Sequence, residues 1–400
     1  MMKTIPKELD VSAGFEEETT RQTAICPPAL FEYVWYVILV YGMLGQAWGV
    51  VIPSVNGALL TLLAVSCLFT VGVQAPHVYS PVAFAICTGI SVIAVQFFFH
   101  SEMALSNSLS FFQWLSTVII VQSLSLRQRF LNRFALVAFA IGVACLPYIQ
   151  MSSGGGIMRA GAVGTGVSNG NVLGMWFGFC TVYFVFRGLQ SQTPILRTVY
   201  WALALGCLYV VTLTVSRGPL LGIVLACVIG LRSALKHYFV PVLSLVFLMW
   251  LAYLSGVFQE TIDAYSVRGA EESGRGLVWP VALQRIFDSP WTGVGLDSLY
   301  TSIGQQAITP HNVLLYIGLA AGIIPVILFL GYLGRVVTGA LHILQRIHVG
   351  EATLLPPLVT FALFEIMIGD TYFMFPWEVV VFALAACARP TYAHQRSMTV

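Results

Sequence analysis

Apolar residues run through this 400-residue chain in long blocks, without the strict alternation of half-buried strands. A bilayer core of about 30 Å needs about 20 apolar residues per helix, and only helices or closed barrels satisfy every backbone polar group inside it. Blocks without alternation select helices over a barrel. They predict spans over 30–44, 50–73, 81–99, 109–124, 134–149 and 172–186 in the first half. In the second half the spans are 199–215, 220–231, 238–258, 313–333, 354–368 and 373–388. Connections in the first half are short, and one long connection, 259–312, stands out. The expected fold class is therefore all-α, a polytopic membrane protein of about 12 transmembrane helices. Its organisation is an N-terminal tail (1–28), one membrane domain (29–390) with the long loop, and a C-terminal tail (391–400).

Composition agrees, because 58% of residues are hydrophobic and 9% charged, against about 25% charged in soluble domains. The net charge of +2 comes without a basic stripe, which argues against nucleic acid as a partner. Cys67, Cys87, Cys145, Cys180, Cys207, Cys227 and Cys387 fall inside apolar blocks, and Cys26 lies just before the first. They read as small core residues with neither CxxC nor metal spacing. The first 28 residues mix Lys3, Lys7 and Arg21 with Glu8, Asp10 and Glu16 to Glu18. With no apolar core they read as a soluble tail and not a cleavable signal peptide.

Residues 199–231 would form one block but for Ser216-Arg217-Gly218-Pro219, which is turn chemistry. Charge supports a hairpin there. With a cytoplasmic N-terminus, the cytoplasmic side collects Lys3, Lys7, Arg21, Arg127, Arg129, Arg133, Arg187, Arg197, Arg232, Lys236, Arg335, Arg346, Arg389 and Arg396 out of 19 basic residues, as the positive-inside rule requires. Fusing the two spans would reverse everything after them and bury Arg217 at a cost of about 2.5–3.5 kcal/mol or more.

The opposite side keeps five arginines, Arg159, Arg217, Arg268, Arg275 and Arg285, no lysine, and two histidines, His100 and His311. Arginine stays charged and grips phosphate bidentately, which suits a lipid-linked phosphate or diphosphate. Arg217 is the sharpest case, a permanent charge at a turn where a small polar residue would serve; the bland alternative is a snorkelling surface charge. Arg275 lies in Glu271-Glu272-Ser273-Gly274-Arg275-Gly276, where pairing with its glutamates is the bland alternative. His311 precedes Asn312, an N-cap candidate for the next span. It could be merely a helix-entrance residue, but histidine can take a proton near neutral pH. Trp279, Trp291 and Tyr300 could stack on sugar rings or form an interfacial belt. No DxD or paired-histidine spacing nominates a metal site. Glu365, Asp370 and Glu378 cluster near the last two spans, where a charge usually has a partner or a role.

Ser216-Arg217-Gly218 at a helix tip, Gly274-Arg275 with Trp279, Pro290-Trp291-Thr292-Gly293-Val294-Gly295, and then His311-Asn312 occur in an order and spacing that resembles the O-antigen ligase and O-antigen polymerase superfamily of bacterial envelopes. The resemblance is specific over 211–325. Ligases of this family carry His, then Asn, Ser or Gln, nine residues, Gly, two residues, and Gly, Thr or Tyr. Here His311, Asn312 and Gly322 match and Pro325 departs.

The resemblance implies a GT-C-like glycosyltransferase of the bacterial inner membrane, acting in lipopolysaccharide biosynthesis with a periplasmic active site. Its donor would be a polysaccharide on undecaprenyl diphosphate and its acceptor a sugar of the lipid A core, with no cofactor, nucleotide or metal. On that footing His311, Arg217 and Arg275 are expected to be catalytic. Arg159, Arg268, Arg285, Trp279, Asn312 and His100 are expected to bind substrate. The nearest alternative is a polymerase joining lipid-linked repeat units. A transporter is a second alternative, against which the almost uniformly apolar helix centres argue.

Overall fold

The computed structural model describes residues 26–100, 104–154, 157–232, 275–295, 301–303, 306–308, 310–347, 350–368 and 375–388. The expected span at 238–258, residues 1–25 of the N-terminal tail, the C-terminal tail, Arg268, Tyr300 and Asp370 lie outside the described residues. Thirteen α-helices are described. They are α1 (Ala29–Leu44), α2 (Pro53–Cys67), α3 (Ala83–Phe99), α4 (Ala104–Leu124), α5 (Phe130–Cys145), α6 (Gly170–Gln190) and α7 (Pro194–Leu213). Then follow α8 (Arg217–Leu231), α9 (Arg275–Asp288), α10 (Val313–Ala321), α11 (Ile323–Arg346), α12 (Leu355–Ile368) and α13 (Pro376–Cys387). Two short antiparallel hairpins, β1 (Ile149–Gly154) with β2 (Ile157–Ala162) and β3 (Thr301–Ile303) with β4 (Gln306–Ile308), are the described sheet.

Seven helical stretches are long and apolar enough to cross a bilayer, and four shorter apolar helices stand where spans are expected. The protein is an all-α polytopic membrane protein. The end of the bundle where α1 starts is called proximal below, and the end where α1 finishes distal. The described spans alternate between them from α1 to α8 and again from α11 to α13.

α6 runs through the centre, buried along nearly its whole length. Glycines let neighbours close on it: a Cβ at Gly174 would lie 2.8 Å from Thr214 Oγ1, and one at Gly178 2.5 Å from the Phe361 ring. Around it an aromatic chain links five helices. Trp35 of α1 stacks on Phe134 of α5 (5.5 Å), Phe134 meets Phe179 of α6 (6.1 Å), Phe179 stacks on Trp377 of α13 (5.3 Å), and Trp377 meets Phe361 of α12 (5.5 Å). Such ring pairs add about 0.5–1.5 kcal/mol each beyond burial. The periphery is apolar too: α7 turns out Ile195, Leu205 and Tyr209, a surface that water would oppose and lipid accepts.

The expected single span at 313–333 is two helices. Gly322 has φ +81°, and a Cβ there would sit 2.5 Å from the Pro290 carbonyl oxygen. This left-handed conformation ends α10 after 9 residues, about 13 Å of helix and too short to cross. Both ends of α10 are tied to distal ends of other spans, Asn312 to the Met367 carbonyl (3.2 Å) and the Ala320 carbonyl to the Gln96 amide (2.6 Å). It therefore lies across the distal end, and the crossing helix is α11 with 24 residues. Pro325 falls in the first turn of α11, where its missing N–H costs nothing. Arg335, expected in the loop after the span, lies inside α11. It is one turn before Gly339, which packs directly on the Ala385 carbonyl at the proximal end of α13. The hairpins were not foreseen in the pattern either.

A candidate active site at the distal end

Arg217 is the first residue of α8 and is exposed. The turn before it is under backbone strain: Val215, β-branched and 4% exposed, has φ +50°, a conformation such a residue avoids at a cost of about 1–3 kcal/mol. Ser216 next to it is buried, and its hydroxyl donates to Asn171 Oδ1 at 2.8 Å. Gly218, Gly222 and Ala226 form a stripe of small residues that allows close helix approach. A Cβ at Gly222 would lie 3.0 Å from Glu365 Oε1 and 2.9 Å from the Phe361 ring, and one at Gly218 3.4 Å from Ile368 Cδ1. Arg217 thus stands on a helix clamped to the last turn of α12.

His311 also has a left-handed backbone, φ +46°, and is half-buried. Asn312 follows in an extended conformation and caps α10, its Oδ1 accepting from the N–H groups of Leu314 (2.9 Å) and Leu315 (3.1 Å). Its Nδ2 donates to the Met367 carbonyl. On the other side Trp279 Nε1 donates to the Pro310 carbonyl at 2.8 Å. The histidine is held between two such anchors.

The two halves meet on one feature. Gly218 abuts Ile368 and Asn312 bonds Met367, so the Arg217 turn and the His311 turn both pack on the distal end of α12. Arg159 on β2 joins them: its Cδ would be 3.6 Å from a Cβ at Gly170, which also faces the Thr214 carbonyl. The N-termini of α6, α8 and α10 lie in this network, each with the partial positive charge of a helix start, and those of α6 and α10 are capped by Asn169 and Asn312. The arrangement can hold an anion beside a histidine. Beneath it lie two fully buried carboxylates, Glu365 against α8 and Glu378, whose Oε2 accepts the Phe375 N–H at 2.8 Å.

Arg275 opens α9, one turn before Trp279, though its side chain lies outside the described residues. The helix therefore brings position 275 towards the Pro310–His311 turn. Arg285 lies ten residues further along the same helix, about 15 Å away. His100 is placed at the other end of α10, where its Nε2 is 3.1 Å from the Thr292 carbonyl and its ring packs under Gly295. Trp291 is 68% exposed beside the Gly322 bend.

The separated motifs prove to be one structural unit. The Ile323 N–H donates to the Pro290 carbonyl (2.7 Å), the Val294 N–H donates to the Leu319 carbonyl (2.8 Å), and Gly293, φ +64°, packs directly on the Leu319 carbonyl. The 290–295 segment thus braces the bend that Gly322 makes, and the bend sets α10 and His311 in place. The strain at Val215 and the Asn171–Ser216 bond leave no trace in the pattern. The Gly218, Gly222, Ala226 spacing is the signal that would have found the α8–α12 contact.

The fold is that of a polytopic membrane protein, with a candidate site of arginine and histidine at one end of its bundle. Residues 201–330, about a third of the chain, are similar to the family whose model is described as O-antigen ligase. The matched stretch runs from α7 to the start of α11 and contains Arg217, Arg275 and His311. No curated protein matches the chain.

Proposed function

We propose that the protein is an O-antigen ligase, transferring polysaccharide from undecaprenyl diphosphate to a sugar of the lipid A core at the periplasmic face of the bacterial inner membrane. In this reading the distal end is periplasmic and both termini are cytoplasmic. The observation that carries it is the packing of the Arg217 and His311 turns on one helix end, within the stretch that matches the ligase family.

The chemistry is inverting glycosyl transfer. The acceptor hydroxyl oxygen attacks the anomeric carbon, the bond from that carbon to the diphosphate oxygen breaks, and the hydroxyl proton passes to His311. The diphosphate leaves on its lipid. Arg217 and Arg275, with the N-terminus of α8, neutralise the charge that grows on it, each charge-assisted bond contributing about 1.5–3 kcal/mol. General-base help adds about 10²–10⁴ in rate. Asn312 and Trp279 act as positioning residues through the backbone on either side of His311, and Arg159 extends the cationic wall.

A deletion strain tests the reading through its lipopolysaccharide. Loss of a ligase leaves naked lipid A core and full-length polymer stranded on its carrier. Core bearing a single repeat unit would instead identify a polymerase.

A further inference from the structure

Next to the site, a cavity of about 250 Å³ opens between α1, α2, α4 and the start of α13. One loop links it to the site: Gly166 lines it, and three residues on along that loop Asn169 caps α6, whose Asn171 accepts from Ser216. Its hydrogen-bonding side chains are Gln46, Asn56, Ser110, Gln113 and Thr117, with Trp114 supplying a ring, and none of its described lining residues is charged.

That lining is unusual for a bundle whose outer surfaces are so apolar. Asn56 Oδ1 has no hydrogen-bond partner among the described residues and is closed off behind the cavity wall, so leaving it unmatched costs about 1–3 kcal/mol and a turn of the amide would bring it to a ligand. Gln113 is held by donating to the Pro53 carbonyl (3.1 Å) and Thr117 by donating to the Gln113 carbonyl (2.7 Å), and each retains acceptor capacity by its chemistry. An acyl chain would leave these groups unmatched. A phosphate would find no cation. The ligand that fits is uncharged, rich in hydroxyls and apolar on one face.

We propose that this cavity is a subsite for one uncharged sugar residue of a glycan substrate. The volume, below the roughly 300–1,000 Å³ of sites for larger ligands, suits a single ring and not an extended oligosaccharide. The inference rests on the glycosyltransferase reading, but binding can be measured without turnover.

The test uses full-length protein in detergent micelles, with saturation-transfer NMR against two probes, lipid-free core oligosaccharide and lipid-free surface polysaccharide repeat unit. One probe binds, and Asn56→Leu and, as a near-isosteric second variant, Thr117→Val each weaken it about tenfold. Binding of core oligosaccharide marks the acceptor and binding of repeat unit the donor. In turnover the KM for the matching substrate rises by a similar factor while kcat stays within about threefold. Neither probe binding, or binding unchanged in both variants, overturns the subsite, and transfer that continues normally leaves the ligase reading intact. Sugar binding lost in the variants of a protein that transfers nothing supports the subsite and removes the transferase reading.

Discussion

The two ends of the bundle use arginine in opposite ways. At the proximal end Glu32, 2% exposed, accepts from Arg127 Nε (2.5 Å), from Arg133 Nε (2.7 Å) and Nη2 (2.9 Å), and from the Tyr36 hydroxyl (2.7 Å). Nearby, Glu351 accepts the Asn132 N–H (2.7 Å), and the Asn132 side chain accepts from Tyr183. Every charge in the Glu32 cluster meets a charge inside the protein, and this holds although the turn carrying Arg127 has a left-handed non-glycine residue of its own, Arg129 at φ +54°. At the distal end Arg217 is exposed, His311 is half-buried, and both turns hold a left-handed non-glycine residue. Charges saturated from within hold helices together. Under the proposed function, the outward-facing side chains on the braced distal turns meet the substrate instead.

This contrast can be broken by mutation, and the largest effect is expected at the distal end. Arg217→Ala and His311→Ala should each lower transfer at least about 10²-fold while membrane yield stays at the wild-type level. In vitro transfer normalised to protein measures both. A variant losing yield in proportion to activity would make that residue structural.

At the proximal end the pattern should reverse. Glu32→Ala leaves two arginines facing each other without their carboxylate; because they are 20% and 38% exposed and so screened by solvent, the loss is about 1–3 kcal/mol. Thermal unfolding in detergent should show a much lower midpoint, whereas the protein that survives should transfer at the normal specific rate.

Gly322→Ala should fall between these. It puts a Cβ 2.5 Å from the Pro290 carbonyl oxygen at φ +81°, a strain of about 1–3 kcal/mol, so both stability and kcat should drop because the bend also aims α10. An unchanged kcat would detach the bend from the site.

The smallest effect is expected for Asn312→Ala. Loss of an N-cap costs about 0.5–2 kcal/mol, and the tie to Met367 goes with it. Transfer should fall several-fold in kcat with little change in KM, and Asn312→Asp, which keeps the cap but not the donated bond, should recover part of it.

Much of the fold was legible. Eleven of the expected spans have an apolar helix at or near their positions, because a lipid environment demands about 20 apolar residues per crossing wherever it occurs. The hairpin at Ser216–Pro219 was legible for the same reason, since an arginine at mid-membrane is costly. The break at Gly322 was not, because α10 is itself wholly apolar and buried within protein. Hydropathy cannot tell a helix lying among other helices from one crossing lipid. The order of Arg217, Arg275 and His311 could be read as a family pattern, and Arg159 was expected beside them only as one of the outer arginines; its contact, and that of Glu365, depends on a hairpin and on glycines in other helices.

The sequence by itself determined that this is a membrane bundle and that the Arg217 turn interrupts an apolar block, and it set the expectation that arginine without lysine gathers on one side. Those follow from composition and order alone, through the cost of charge and bare backbone in lipid. Only the tertiary structure decided that the Arg217 and His311 turns share the end of α12, that Val215 and His311 are strained, and that a polar cavity adjoins them. These depend on contacts between residues far apart in the chain, where glycines at 218, 222 and 322 let backbones come close enough to meet.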